Sequence, residues 1–333
     1  MSGMGRAAVR PLAAHRRLGG TSPVLVLVLA VVVAVGTGAR LKSPASEEAQ
    51  FNARLDRLVG LLRHLDEYIG HDLVECHVGF IASAAEKVKI PDEILIAVGP
   101  LLKSGNVATR KKSSYVLFLA ARSSEAGLPK QIIRALGQAV MDANGQVAAY
   151  AAEAIVSIAD KVEISAEVLT ALGRALKSDR GATRHIAIRV IGSVSQTSEV
   201  GLPKDVLRAL GEALMDNDPV FVATAAVAIA FSAGKVEISA EVLTALGKVL
   251  QSDEVFARQA ACSALWQAAG GNEVGLPKQV IGALGIALAD ADPQVVSDAV
   301  VAIAKSANKT ELPREVLIAL CGILENGDAA ARQ

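Results

Sequence analysis

The sequence repeats itself every 74 residues, and this repetition restricts the chain to an array of stacked copies. The stretch from Lys161 to Gly173 returns residue for residue from Lys235 to Gly247. Each period contains two related copies, because the same pattern of Leu or Ile, then Pro or Ser, then an apolar helix occurs twice within it. One short copy cannot bury its apolar residues by itself, so neighbouring copies must stack into one continuous core.

Seven copies can be located by this start pattern, with a spacing that alternates between 38 and 36 residues. They begin at Ile90, Leu128, Ile164, Leu202, Ile238, Leu276 and Leu312. An eighth, more diverged copy begins near residue 54. The last copy stops where its second helix should start, so the sequence predicts a lone closing helix over residues 312–324.

Each copy is predicted to contain two helices. In the copy at Ile90, the apolar residues follow the period of an α-helix, at Ile94, Leu95, Val98, Leu101 and Leu102. The Pro or Ser that precedes this stripe is a helix start signal. A polar turn follows, and then an Ala-rich second helix such as that over residues 220–232. Aromatic residues make up only 3 % of the chain, so the core must be aliphatic and closely packed.

The turns and one arginine position resemble those of the HEAT repeat family. The matching residues are the Asp-Pro turns at 218–219 and 292–293, the turn acids Asp142, Asp179, Asp216, Asp253 and Asp290, and Arg110, Arg184, Arg258 and Arg332. The resemblance covers residues 54–333 and implies an all-α, right-handed α-solenoid of about eight two-helix repeats. It also implies that these arginines form a polar ladder with turn aspartates. Because Tyr150, Thr224 and Asp298 replace the arginine in alternate copies, the ladder is expected to be intermittent.

The N-terminus lacks the repeat and divides the chain into a leader, residues 1–46, and a solenoid, residues 47–333. The leader is basic and contains an apolar segment over residues 24–39. This segment is short for a membrane span of about 20 residues, but the basic stretch before it is long for a signal peptide. We expect a single-pass N-terminal membrane anchor. The alternatives are a cleaved signal, which would leave a secreted or periplasmic protein, and import into an organelle.

The charge distribution argues against a nucleic-acid partner. The leader holds six of the 34 basic residues and none of the 34 acidic ones, which leaves residues 47–333 with a net charge of about −6. A surface that follows a phosphate backbone needs an excess of Lys and Arg. We therefore expect protein partners and no nucleic acid.

Motifs for chemistry are sparse in this sequence. It contains no phosphate-binding glycine loop, no nucleophile elbow and no zinc signature. His64, His71, Cys76 and His77 are close in sequence, but the period places His71 in a turn, away from the helix face of His64, so we expect no metal site. We also expect no cofactor and no catalysis. A HEAT-like enzyme, or a cofactor-handling lyase of the kind that attaches bilins, is the alternative function.

The second helices differ from copy to copy at three otherwise repeated positions. These positions hold Tyr115, Arg189 and Ser263; Phe118, Gly192 and Trp266; and Ser157, Phe231 and Lys305. Second helices form the concave wall in the resembling family, and Tyr, Trp and Arg are frequent anchors of protein interfaces. Candidate protein-binding residues are therefore Tyr115, Phe118, Arg189, Phe231 and Trp266, unless the aromatic side chains fill gaps in the Ala-rich core. The expected function is a membrane-tethered scaffold or adaptor that holds proteins along this wall.

A glycine occupies the tenth residue of six copies, in the middle of the predicted first helix. These are Gly99, Gly137, Gly173, Gly211, Gly247 and Gly285. A glycine inside a helix costs about 0.5–1 kcal/mol relative to alanine. Its recurrence predicts that a neighbouring helix crosses close to the backbone here. Inheritance of a neutral glycine from an ancestral copy is the alternative.

Overall fold

The computed structural model describes residues 90–326, together with residues 78, 79, 81, 82 and 85. The leader of residues 1–46, its apolar segment 24–39, the copy near residue 54 and Arg332 lie outside the described residues. Every regular element within the described part is a helix, which confirms the all-α fold class. None of these described helices combines the length and apolar character of a membrane span.

The described helices alternate between a first and a second helix of each repeat. The first helices are α1 (Asp92–Val98, followed by a 3-10 helix over Gly99–Lys103), α3 (Lys130–Ala139), α5 (Ala166–Ala175), α7 (Lys204–Ala213), α9 (Ala240–Val249), α11 (Lys278–Ala287) and α13 (Arg314–Asn326). The second helices are α2 (Val107–Ser123), α4 (Gly145–Val156), α6 (Gly181–Thr197), α8 (Pro219–Ala233), α10 (Val255–Gly271) and α12 (Pro293–Ala307). The helix α13 packs against α11 of the preceding repeat and buries Val316, and this packing was predicted from the sequence.

Local sequence explains where the second helices begin. The side chain of Asn106 accepts hydrogen bonds from two backbone N–H groups at the start of α2, and Asn144, Asp218 and Asp292 do the same for α4, α8 and α12. Each cap satisfies donors that the first turn of a helix leaves without a partner. The polar turns read from the sequence are therefore helix caps.

Positive backbone angles explain why alternate repeats are two residues longer. Gly127, Gly201 and Gly275 have φ angles of 80°, 66° and 75°, which favour glycine. Each stands directly before the next repeat, at the end of a 38-residue copy. The additional residues thus belong to a glycine turn that redirects the chain into the following first helix.

One continuous aliphatic core passes through all described repeats. Leu136, Leu172, Leu210, Leu246 and Leu284 occupy the same position of successive first helices, and each is 0 % exposed. The second helices bury mainly Ala and contact one another more extensively than the first helices do. Small side chains permit this close packing, which is expected of the inner row in a curved array.

Polar side chains clamp the two repeats within each 74-residue pair at the turn end of the second helices. Arg110 donates to both carboxylate oxygens of Asp142 in the next repeat, at 2.7 and 3.2 Å, and to the carbonyl of Ser104 in its own turn. Arg258 makes the same contacts to Asp290, at 2.7 and 3.1 Å. The contact between Arg184 and Asp216 is longer, at 3.5 Å. Each arginine therefore ties its own turn to the next one.

A second clamp, which the sequence did not reveal, lies at the opposite end of the same interfaces. The ammonium of Lys309 donates to the carbonyls of Ala269 and Asn272, at 2.9 and 2.7 Å, where α10 ends. Lys235 and Lys161 make equivalent contacts one period and two periods earlier, respectively. These carbonyls lack helical partners and carry the negative end of the helix dipole, so a cation is favourable there.

The interfaces between pairs depend instead on the repeated glycines. A Cβ atom added to Gly137, Gly211 or Gly285 would lie 2.7, 2.9 or 2.7 Å from a Cγ atom of the Val on the next first helix. Within pairs the same distance is 3.4 Å at Gly173 and 3.5 Å at Gly247, an ordinary contact. The close crossing predicted from the glycines is therefore present between pairs. It also occurs within the first pair, where a Cβ atom added to Gly99 would lie 2.7 Å from Cδ1 of Ile132, and the contact is looser only within the pairs that begin at Ile164 and Ile238.

This alternation predicts opposite effects of one substitution at two equivalent positions. Gly247→Ala should stabilise its helix by about 0.5–1 kcal/mol, because the new methyl group would make only ordinary van der Waals contacts. Gly211→Ala should gain less or destabilise, since Val242 is β-branched and stiff, and Gly211→Leu should cost about 1–3 kcal/mol through overpacking. Amide hydrogen exchange of α7 and α9 measures these local stabilities. Equal stabilisation by both alanines would contradict the close crossing.

The arginine clamp predicts a pH-dependent contribution to stability. The hydrogen bond from Arg258 lowers the pKa of Asp290, so this stabilisation is complete above the unfolded pKa of about 3.9 and is lost as the pH falls through the lower folded pKa. Arg258→Gln should therefore cost about 1–3 kcal/mol at neutral pH, because the mostly buried carboxylate loses its charged donor. The difference from wild type should shrink below about pH 4.

Arg184→Gln is the matched control, because its contact to Asp216 is longer and more exposed. Both variants are compared with wild type by amide hydrogen exchange of the second helices. Arg184→Gln should lower the stability measured in this way less than Arg258→Gln does. A deficit of Arg258→Gln that stays constant down to the acid transition would show that the ion pair does not carry the effect.

Candidate functional site

The second helices present a row of positions in which the three 74-residue units carry different side chains. We define the variable row as three sets of equivalent positions on α2, α4, α6, α8, α10 and α12. Its members are Tyr115, Arg189 and Ser263; Phe118, Gly192 and Trp266; and Tyr150, Thr224 and Asp298. The residues behind the row are buried and aliphatic in every unit, so the row can vary without changing the core.

The first unit fills the variable row with an aromatic cluster. The rings of Tyr115 and Tyr150 have centroids 5.1 Å apart, and that of Phe118 lies 5.9 Å from Tyr150. The guanidinium of Arg122 lies over the Phe118 ring, 5.4 Å from its centroid. These separations are typical of favourable aromatic and cation–π contacts. The structure thus brings two of the predicted binding residues, Tyr115 and Phe118, into one cluster.

The third unit fills the equivalent space with a single indole. Trp266 is half-buried, and the ammonium of Lys305 lies 4.6 Å from its ring centroid. Burial raises the pKa of Asp298, which stands on α12 at the position of Tyr150. A ring covered by a cation therefore occurs in both outer units, although the cation comes from a different helix in each.

The middle unit leaves the same space open. Gly192 stands where the outer units carry Phe118 and Trp266, and a groove of about 650 Å³ lies beside it, between α6, α8 and α10. The wall includes Thr224 and Val227, and the rim includes Val220, Phe256 and Glu254. Val220 is 69 % exposed and Phe256 is 77 % exposed. Apolar side chains so exposed beside a concave surface are typical of a binding site.

Arg189 is the predicted binding residue that lines this groove. Its guanidinium pairs with Glu153 of α4 at 2.7 Å, and both side chains are about half exposed. Phe231, which is 43 % exposed, stands on α8 at the position equivalent to Lys305. Four of the five predicted residues therefore lie in the variable row across three units, Phe231 lies outside it, and the five do not converge on one pocket.

The predicted ladder residues lie away from the variable row. Arg110, Arg184 and Arg258 are near the starts of their helices, in the clamps between paired repeats. Their contacts hold the units in register, and they are positioned to stabilise the wall that carries the groove.

The described residues contain no group of three His, Cys, Asp or Glu side chains placed to hold a metal ion. His64, His71, Cys76 and His77 lie outside the described residues. Cys262 is buried in α10, and burial raises the pKa of its thiol to about 12, so this thiol is a poor nucleophile near neutral pH. Cys321 is exposed.

Sequence reasoning did not identify several residues that shape the groove. Val220 and Phe256 follow the helix caps and read as ordinary apolar positions, although the structure exposes them. Tyr150 was expected to replace the ladder arginine, which is wrong, because the fourth residue of α4, where α2 carries Arg110, is Ala148. Tyr150 is instead the centre of the aromatic cluster. The available signal was the replacement of a large ring by Gly192, which marks where a cavity can open.

No protein-family model and no curated protein matches the chain. Solved structures do match it. An engineered protein from the Northeast Structural Genomics Consortium has a TM-score of 0.50 and 19 % sequence identity, over 84 % of this chain and 78 % of that one. Computationally designed armadillo repeat proteins for modular peptide recognition have a TM-score of 0.48 and 18 % identity, over 63 % of this chain and 99 % of theirs.

The likeness to the first of these structures shows the fold alone. Together with the alternating helices, it identifies the fold of this chain as a helical repeat solenoid, which confirms the predicted fold class.

Proposed function

We propose that this protein is a non-catalytic scaffold that binds segments of partner proteins along its second helices. The observation that carries the proposal is the open groove beside Gly192, with the exposed side chains of Val220 and Phe256 at its rim. The groove lies on a wall whose core-facing residues are buried in every unit, and this packing favours a rigid surface. Rigid presentation of apolar anchors lowers the entropic cost of binding.

The types of side chain in the variable row also support binding of proteins. Arg, Tyr, Phe and Trp side chains dominate it, and Tyr, Trp and Arg are the types enriched at the energetic centres of protein interfaces. The titratable groups that line the groove are Arg189 and Glu254, and Arg189 is already paired with Glu153. An open groove with this lining suits an extended peptide segment better than a small molecule undergoing reaction. The net charge of about −6 over residues 47–333 favours proteins over nucleic acid as partners.

Selection of peptides from a random library on the full-length protein tests this function. We expect enriched peptides that lose at least about tenfold in affinity when Phe256→Asp places a charge at the groove rim. Val274→Asp is the matched control, because Val274 is 78 % exposed and follows the other end of α10. Failure to enrich any peptide, or equal binding to both variants, would contradict the proposal.

The membrane tether is a separate part of the proposal and rests on the apolar segment of residues 24–39 behind a basic stretch. We expect full-length protein to sediment with membranes and to resist extraction by alkaline carbonate. Recovery of a soluble product that begins near Gly36 or Arg40 would instead establish a cleaved signal.

A further inference from the structure

We propose that the groove beside Gly192 is a slot for an aromatic side chain of the partner, followed in the partner by a basic residue. This inference rests on the proposed binding function and specifies the chemistry of the partner segment. It follows from comparing the three units of the chain, because the outer units show what the same space accommodates.

The repeat itself provides the template for the aromatic ring. At the position of Gly192, the first unit carries Phe118 and the third carries Trp266, and both rings are partly buried against the aliphatic core. The middle unit has the same core behind this position but no ring. A ring from another chain can therefore occupy the place of the missing one, beside Thr224.

The size of the groove agrees with this occupant. Its volume of about 650 Å³ lies within the range of about 300–1,000 Å³ that is usual for binding pockets. It exceeds what one ring requires, so flanking residues of an extended segment fit as well. Val220 and Val227 supply apolar contact for a ring, and Phe256 stands at the rim.

The template also accounts for the basic residue. Arg122 covers the Phe118 ring, and Lys305 covers the Trp266 ring. In the middle unit these two positions hold Gln196 and Phe231, so the chain supplies neither cation. Glu254 lies at the groove, while Glu153 neutralises Arg189. A Lys or Arg beside the partner's ring would complement Glu254.

The inference is tested with the full-length protein and short capped peptides that contain Trp followed by Lys, measured by titration. Replacing the Trp by Ala should weaken binding by at least about tenfold, and Leu should bind less tightly than Trp. Replacing the Lys by Glu should weaken binding by about twofold to fivefold, as for an exposed ion pair. Equal affinities for Trp, Leu and Ala peptides would overturn the aromatic slot.

Protein variants locate the binding site. Gly192→Trp copies the third unit and should abolish binding of the Trp–Lys peptide by filling the slot from within. Gly145→Trp is the control, because a side chain there meets open space on α4 and leaves the groove free. If Gly192→Trp fails to fold, Val220→Asp serves instead, because Val220 is already 69 % exposed. Undiminished binding to folded groove variants would overturn the inference.

The outcomes also separate this inference from the broader function. Library peptides that bind at the groove without an aromatic preference would overturn the slot and leave the scaffold function standing. A lack of any peptide binding would overturn both.

Discussion

Each repeat in this solenoid depends on the next, because the apolar side of a first helix packs partly on its own second helix and partly on the first helix of the next repeat. Val316 on α13 is buried by this contact with α11, whereas Leu317 and Ile318, at 47 % and 62 % exposed, face outward. Stacking therefore supplies most of the stabilisation and fixes the orientation of every second helix. The groove depends on it too, because its walls come from three successive repeats.

Two kinds of interface alternate along the stack, and they explain why the period is two repeats. Within a pair, Arg and Lys clamps hold both ends of the second helices. Between pairs, the first helices approach so closely that a Cβ atom added to Gly211 would lie 2.9 Å from a Cγ atom of Val242. One interface is thus specified by charged hydrogen bonds and the other by shape. A side chain that stabilises one kind of interface is therefore expected to destabilise the other. This difference favours two distinct copies in each pair.

The periodicity of the sequence predicted the elements of the fold well, because helix starts and buried stripes are local signals. The glycine at the tenth residue of six copies also predicted that neighbouring first helices cross closely, because glycine is disfavoured inside helices and yet recurs at this position. The groove could not be predicted in the same way. Gly192 was identifiable as a divergent residue, but whether its missing side chain leaves a space depends on Thr224 and Phe256 from other repeats. The lysine clamp was missed because its acceptors are backbone carbonyls, which no residue type marks.

The alternating interfaces also govern how an array of this kind can change its length. Removing a complete pair leaves every surviving junction with a partner of the correct kind. Removing one repeat, such as residues 164–201, would instead set Asp216 opposite Ala148, the fourth residue of α4, in place of Arg184, the fourth residue of α6, and leave the carboxylate without its guanidinium. We therefore expect gain or loss of repeats in steps of 74 residues, and each step carries one complete unit of the variable row with it.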